Sequence, residues 1–397
     1  MSDPRRHIMP VYNPPEEIFV RGEGVRLYTS DDVAYLDCIS GIAVSALGHS
    51  HPAMVEALTT QAEKLWHTSN MFRVPEGELF AARICEDTFA DRVFFTNSGT
   101  EAVECALKAA RKYHWSLGDT DRYDIVTFSG AFHGRSLGAI NAGGNPKYLE
   151  GFGPPLPGFT QVEFGDHEAL DAAVTARTAA VFVEPVQGEG GVRAIPETCL
   201  TALRQLCDAR GALLIYDEVQ CGMGRTGKLF AHEWAQDAAP DIMCVAKGIG
   251  GGFPLGACLM TEAVGEPMQP GSHGSTYGGN PLAMAVGSVV WKTIANGDFL
   301  DKVRRVSGTM AQGLKSLADS HPDQVEGVTG KGLLTGLRMK SAPKPLQNHA
   351  RANHLLTGVA GNNVLRLAPP LIMTDEDVRE MVGILDTCLS DMAASGS

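Results

Sequence analysis

Two charged residues close apolar runs in this chain, and their types suggest a shared chemistry. Lys247 ends "MCVAK" and is followed by four glycines in five positions, "GIGGG". Asp217 ends "ALLIYD". Taken singly, each has an ordinary reading: a lysine reaching into water from a turn, and an aspartate capping the next helix. Taken together, an amine and a carboxylate at neighbouring strand ends suit an aromatic nitrogen heterocycle carrying an aldehyde. The lysine would form a Schiff base with the aldehyde, and the aspartate would pair with the protonated ring nitrogen. At about 4 Å and an effective dielectric near 20, such an ion pair is worth roughly 4 kcal/mol before desolvation. The glycines would let the backbone pass close to the lysine and its cofactor, where side chains would collide.

A cofactor of that kind, pyridoxal 5'-phosphate, also needs a phosphate site and a stacking face. In "TNSGTEAVECALKAARKY" a strand gives way to a helix after Asn97, leaving free amides and the positive end of a helix dipole for a phosphate. Ser98 and Glu101 also fit the S-x-x-E capping box, which accounts for the same residues without a ligand. In "GAFHGRSLGA" Phe132 stands between a strand and a glycine, where its ring could cover a cofactor or belong to the core.

The elements that must hold these residues read as a mostly parallel sheet. From residue 92 onward the chain offers "RVFFTN", "IVTFS", "AAVFVEPV", "ALLIYDEV", "IMCVAK" and "ACLMT", separated by helical patterns. Leu203, Leu206 and Cys207 fall on one helical face before "ALLIYDEV", so that segment forms a βαβ unit. In open α/β sheets, ligands bind beyond the carboxyl ends of the strands, where Asp217 and Lys247 are expected. Before residue 50 and after about 290 the pattern changes to short strands and amphipathic helices such as 301–317. The predicted organisation is a small-domain segment at 1–50, a large cofactor-binding domain at 51–290 and a small α+β domain at 291–397.

Composition excludes several function classes. A chain of 397 residues with 44% apolar and 20% charged residues can bury a large core. No apolar run reaches the roughly 18 residues that span a bilayer. The start, "MSDPRRHIMPVYNPP", has no apolar stretch after its basic pair, so no secretory signal is expected and the cytoplasm is the predicted location. Nine cysteines without a CxxC pair suit reduced thiols. His49 and His51 in "LGHSHP" lack acidic or cysteine partners nearby in sequence and read as a turn rather than a metal site. A net charge of −13 argues against nucleic acid as the main partner, whereas small anionic substrates need only a few placed arginines.

Over nearly its whole length the sequence resembles the class III aminotransferases, and within them the acetylornithine aminotransferase branch. The resemblance is carried in order by "VYNPPEEIFVRGEG", "GIAVSALGHSHP", "FFTNSGTEA", "GAFHGRSLGA", "FGP", "VEPVQGEGGV", "YDEVQCGMGRTG", "AKGIGGGFPLGA", "HGSTYGGNPLA" and "LRLAPPL". It implies the fold type I architecture of pyridoxal phosphate enzymes and a homodimer with shared active sites. It implies further that Lys247 binds the cofactor aldehyde, Asp217 the pyridine nitrogen and Gln220 the phenolic oxygen. Val219 and Phe132 would pack on the ring, and Gly99 and Thr100 would hold the phosphate, joined by Thr276 from the other subunit. Tyr12 and Ser275 would touch substrate. Arg135 would bind the distal carboxylate of an ω-amino substrate, and Arg366 the α-carboxylate of glutamate or 2-oxoglutarate. Glu189 would mask Arg366 when the ω-amino substrate is present. The ornithine branch usually has tyrosine where this chain has Ile42, and often tryptophan where it has His133, so the acetylated substrate is preferred here. Ornithine, succinylornithine, N-succinyl-diaminopimelate and 4-aminobutyrate transamination share the motifs. A mutase or decarboxylase using the same cofactor, or a non-catalytic cofactor-binding protein, is the reading from another class.

Overall fold

The computed structural model describes residues 4–395; the first residues of the stretch read above for a secretory signal, 1–3, lie outside it, as do 396–397. Its centre is a seven-stranded sheet of β1 (Arg92–Thr96), β2 (Asp124–Phe128), β3 (Phe159–Val162), β4 (Thr178–Val183), β5 (Leu213–Asp217), β6 (Ile242–Val245) and β7 (Gly256–Met260). The strand order is β1-β7-β6-β5-β4-β2-β3. β7 runs antiparallel to both of its neighbours, and the remaining pairs are parallel.

Every residue of β4, β5, β6 and β7 is buried, which is why these segments read as unbroken apolar runs rather than alternating ones. Each fully buried Leu, Ile or Val there contributes about 1.5 to 3 kcal/mol relative to exposure. Helix α1 (Gly99–Ser116) lays Ala102, Ala106, Ala109 and Ala110, all buried, toward the sheet, their small side chains permitting close approach. Helix α2 (Glu197–Arg210) buries Leu200, Leu203 and Cys207 and joins β4 to β5 as the predicted crossover. Helix α3 (Pro281–Ile294) packs against helices 52–62 and 75–87.

Both chain ends meet in one smaller sheet: Phe19–Glu23, Arg26–Thr29 and Ala34–Asp37 are extended by Leu355–Leu356, which pairs parallel to Ala34–Asp37. A further antiparallel sheet of Val325–Lys331, Leu334–Met339, Val364–Leu367 and Gly358–Ala360 carries Arg366. Between residues 40 and 43 the chain makes a turn with four consecutive positive φ values, 46° to 66°, and Ile42 stands on it nearly half exposed. A β-branched residue rarely adopts such a φ, so the surrounding packing must hold this turn against its local preference.

Candidate active site

The carboxyl ends of five parallel strands open into one cavity of about 370 Å³. Asn97 follows β1, Phe132 and His133 lie beyond β2, Glu184 follows β4, Asp217 ends β5 and Lys247 lies two residues beyond β6. Gly252 to Leu255, leading into the reversed strand β7, complete the wall together with Val44, Val219 and Gln220. In register, Asp217 pairs with Cys244, which brings the aspartate level with the segment leading to Lys247.

Lys247 has φ +50°, a left-handed backbone that a non-glycine residue adopts at a cost. Such strain is commonly stored at functional sites. The side chain lines the cavity, and the protein packed around it lowers its pKa to about 8. Glu189, Asp217 and Glu184 oppose the shift, and Arg366 adds to it. The glycines after Lys247 serve a purpose different from the expected one. A side chain on Gly248 would come within 2.8 Å of Met223, one on Gly251 would meet Met54, and one on Gly250 would run into the Phe253 carbonyl. Three of the four therefore permit tight packing within the protein. Only Gly252 lines the cavity.

Asp217 is buried and held on both oxygens. Oδ1 accepts the Val219 amide at 3.0 Å, and Oδ2 lies 2.8 Å from Nδ1 of His133. The His133 ring stacks on Phe182 at 4.0 Å, and its Nε2 is buried with no hydrogen-bond partner among the described residues. Glu184, buried beside them, accepts the Phe132 amide at 3.2 Å. Burial and the nearby Asp217 carboxylate push the Glu184 carboxyl well above its usual range. The sequence reading used His133 only to choose between substrates, not as a partner of Asp217, and it assigned Glu184 no role. For Glu184 a signal existed: it closes the apolar run "AAVFV" as Asp217 closes "ALLIY".

At the other end of the cavity stands the N-terminus of α1. Ser98 caps the helix, its Oγ accepting the Glu101 amide at 3.4 Å. The reciprocal half of the expected capping box is displaced by one residue, since the Glu101 carboxylate takes the amide of Asn97 at 2.7 Å. The amides of Gly99 and Thr100 belong to the first turn, where a helix supplies no internal partner. Gly99 admits no side chain, since a Cβ there would lie 2.8 Å from Val219 Cγ1. The Thr100 hydroxyl is turned to the following loop, taking the Arg135 and Ser136 amides at 3.2 Å each and lying 3.0 Å from Ser136 Oγ.

The predicted substrate residues divide into two groups. Arg366 is buried and pairs with Glu189, and its Nη1 donates to Gln220 Oε1 at 3.1 Å. Its Nε is buried without a partner among the described residues, a donor available to a carboxylate. Arg135 is exposed, with its guanidinium 4.0 Å from the centre of the Tyr148 ring and 5.4 Å from that of Phe132. Tyr12 and Thr276 are both exposed and are not among the residues lining the cavity of Lys247. Ser275 reaches the cavity wall indirectly, its Oγ taking a 3.2 Å hydrogen bond from Asn97 Nδ2. His49, weighed above for a metal, instead pairs with Asp37 at 2.8 Å.

The model of one family, aminotransferase class III, matches residues 9–389. The chain is a class III aminotransferase. It is 55% identical to acetylornithine aminotransferase 2 of Caulobacter vibrioides, over 96% of this chain and 95% of that protein. Among solved structures it is similar to the N-acetylornithine aminotransferase of Stenotrophomonas maltophilia, with TM-score 0.84, 38% identity and coverage of 96% and 98% of the two chains. It is also similar to the ornithine aminotransferase of Toxoplasma gondii, with TM-score 0.94, 30% identity and coverage of 98% and 94%. The architecture is fold type I, as the resemblance implied.

Class III aminotransferases work with pyridoxal 5'-phosphate, and this cavity fits it. A half-buried amine of lowered pKa, a carboxylate fixed on both oxygens and a helix N-terminus with free amides are the donor set that an aldehyde, a protonated ring nitrogen and a phosphate require.

Proposed function

We propose that this aminotransferase moves the ω-amino group of N-acetylornithine to 2-oxoglutarate, giving N-acetylglutamate semialdehyde and glutamate. The observation that carries the reading is the Arg366–Glu189 pair, joined through Gln220 to the cavity that holds Lys247 and Asp217. A site that must accept two substrates in turn needs a carboxylate receptor that can be closed for one and opened for the other. Relatives at 55% identity named acetylornithine aminotransferases support the choice of donor.

Bound in this cavity, pyridoxal phosphate supplies an electron sink for the carbon that loses its proton. The protein's own residues do the rest. Lys247 would hold the cofactor's aldehyde, and its amine would move the proton at the amine-bearing carbon, with nearness replacing a bimolecular encounter. Asp217, fixed by His133 and Val219, keeps positive charge on the ring nitrogen. Gln220 would meet the phenolic oxygen, Val219 and Phe132 would cover the ring, and Gly99 and Thr100 would receive the phosphate. Arg366 takes the α-carboxylate of the acceptor after Glu189 swings away, and Arg135 takes the carboxylate of the ω-amino donor, with Tyr12 and Ser275 touching substrate at the rim.

The homodimer belongs to the same proposal. Trp66, Met71, Phe72 and Tyr277 are exposed, and His67 packs against Tyr277 while Asn70 binds the Ser275 carbonyl, so these apolar residues gather on one face beside Thr276. A patch of this kind marks an interface. A second copy seated there would receive Thr276 at its phosphate site. The division into a large domain and a small one built from both chain ends is likewise proposed, on the sheet that the two ends share. No helix among the described residues is long and apolar enough to cross a membrane.

A substrate panel tests the donor. Catalytic efficiency on N-acetylornithine should exceed that on ornithine, succinylornithine and 4-aminobutyrate, with turnover dependent on 2-oxoglutarate. Ornithine is the second reading, favoured by the TM-score of 0.94 to an ornithine aminotransferase, and a preference for it would replace the first. Turnover without an amino acceptor would point instead to a mutase or decarboxylase.

A further inference from the structure

We propose that Glu184 is a positioning residue whose buried carboxyl group clamps the backbone of Phe132 to the backbone of Gly188, holding the aromatic wall of the cavity and the Glu189 gate in one register. The inference rests on the cofactor reading above, and deepens it.

Glu184 follows the fully buried strand β4, so its position is fixed by the sheet rather than by a loop. Its Oε2 accepts the Phe132 amide at 3.2 Å across 52 residues of sequence, and the Gly188 amide lies near enough to the same carboxyl to favour its charged form. Gly188 precedes Glu189, whose carboxylate pairs with Arg366. Gly188 is also pressed against Gln220, leaving no room for a Cβ, and Gln220 accepts from Arg366. One carboxyl group therefore sits at the junction between the loop bearing Phe132 and the loop bearing the gate. A shift of the Phe132 loop strains a hydrogen bond to this side chain, and a shift of the gate loop moves the Gly188 amide away from it.

The surroundings favour the uncharged acid at this point. Asp217, on the neighbouring strand, repels a second negative charge, and burial adds to that cost. Lys247 and the two amides act in the opposite direction, as does the more distant Arg193, while the Cys221 thiol on the other side is kept protonated by its own burial. A neutral acid can serve as a clamp beside Asp217 without competing for the proton of the ring nitrogen. That requirement distinguishes Glu184 from a third catalytic carboxylate.

The test compares Glu184→Ala and Glu184→Gln in the full-length protein, reading pyridoxal phosphate affinity by reconstitution of the apo chain and KM for 2-oxoglutarate. The alanine variant should lose tenfold or more in cofactor affinity and raise KM by a similar factor, because wall and gate loosen together. Glutamine, with an acceptor oxygen and no charge, should recover most of both losses. It should also leave the pH midpoint of the cofactor's visible absorbance within about 0.3 units of the wild type, because exchanging an uncharged acid for an isosteric amide leaves the charges around the cofactor unchanged. Alanine equal to wild type, glutamine as poor as alanine, or a midpoint moved by a unit or more would overturn the clamp. If the alanine variant does not fold, the glutamine result and its absorbance profile decide. Failure of the wild-type chain to take up pyridoxal phosphate would bring down the cofactor reading instead, and is seen separately.

Discussion

His133 Nδ1 lies 2.8 Å from Asp217 Oδ2, with both side chains buried and the imidazole stacked on Phe182. The aspartate therefore does not hang freely from its strand end. The imidazole fixes one oxygen and the Val219 amide the other. A carboxylate that must hold a proton on a ring nitrogen gains from this arrangement, since its orientation is set before any ligand arrives.

The variant His133→Phe keeps an aromatic ring for the Phe182 stack and removes the bond to Asp217. A hydrogen bond to a charged group contributes about 1.5 to 3 kcal/mol, so kcat should fall by roughly tenfold to a hundredfold. Thermal melting should change little by comparison. Steady-state kinetics on N-acetylornithine checks this, and an unaltered kcat would show that Asp217 needs no such partner.

Lys247 should titrate near pH 8 in the apo chain, because burial disfavours its charged form. The neutral amine is the one that captures an aldehyde. The rate of pyridoxal phosphate capture should thus rise about tenfold per pH unit below 8 and level off above it. A lysine at the ordinary value of about 10.4 would keep accelerating through pH 10. Stopped-flow absorbance across pH 6 to 10 separates the two profiles.

Much of this site was legible from residues that close apolar runs. Asp217 and Lys247 stood out because β5 and β6 are buried along their whole length and read as unbroken apolar runs up to these residues. Other features were silent in the sequence. The segment Phe159–Val162 has two exposed residues of four and no distinctive pattern, so β3 went unread. An apolar run carries no direction, which hid the reversal of β7. The partnership of His133 with Asp217 joins residues 84 apart, and neither residue's neighbours announce it. The glycines after Lys247 drew attention to the lysine correctly, but their packing partners Met54 and Met223 lie far away in sequence.

Arg135→Ala and Arg366→Ala should fail in different half reactions. In the proposed division Arg366, buried with an unpartnered Nε, would serve the α-amino acid half, and Arg135, exposed beside Tyr148, the ω-amino donor. Removing a charged partner of a carboxylate costs about 2 to 5 kcal/mol, an effect large enough to assign to one half. Single-turnover measurements with each substrate make the assignment. Equal damage to both halves would contradict the division of labour.

Shared active sites can be read from mixed dimers. A Lys247→Ala chain refolded together with a Thr276→Trp chain should regain activity, because one site of the mixed dimer collects both lesions and the other is left intact. If Thr276 acts within its own chain, every site keeps a lesion and mixing restores nothing.

The most direct measurement is borohydride reduction of the protein loaded with pyridoxal phosphate, followed by mass mapping of the fixed cofactor. The label should fall on Lys247, the residue held at φ +50° beyond β6 with its amine in the cavity that Asp217 lines. A label on Lys228 or Lys331, with Lys247 unmodified, would contradict the account at its centre.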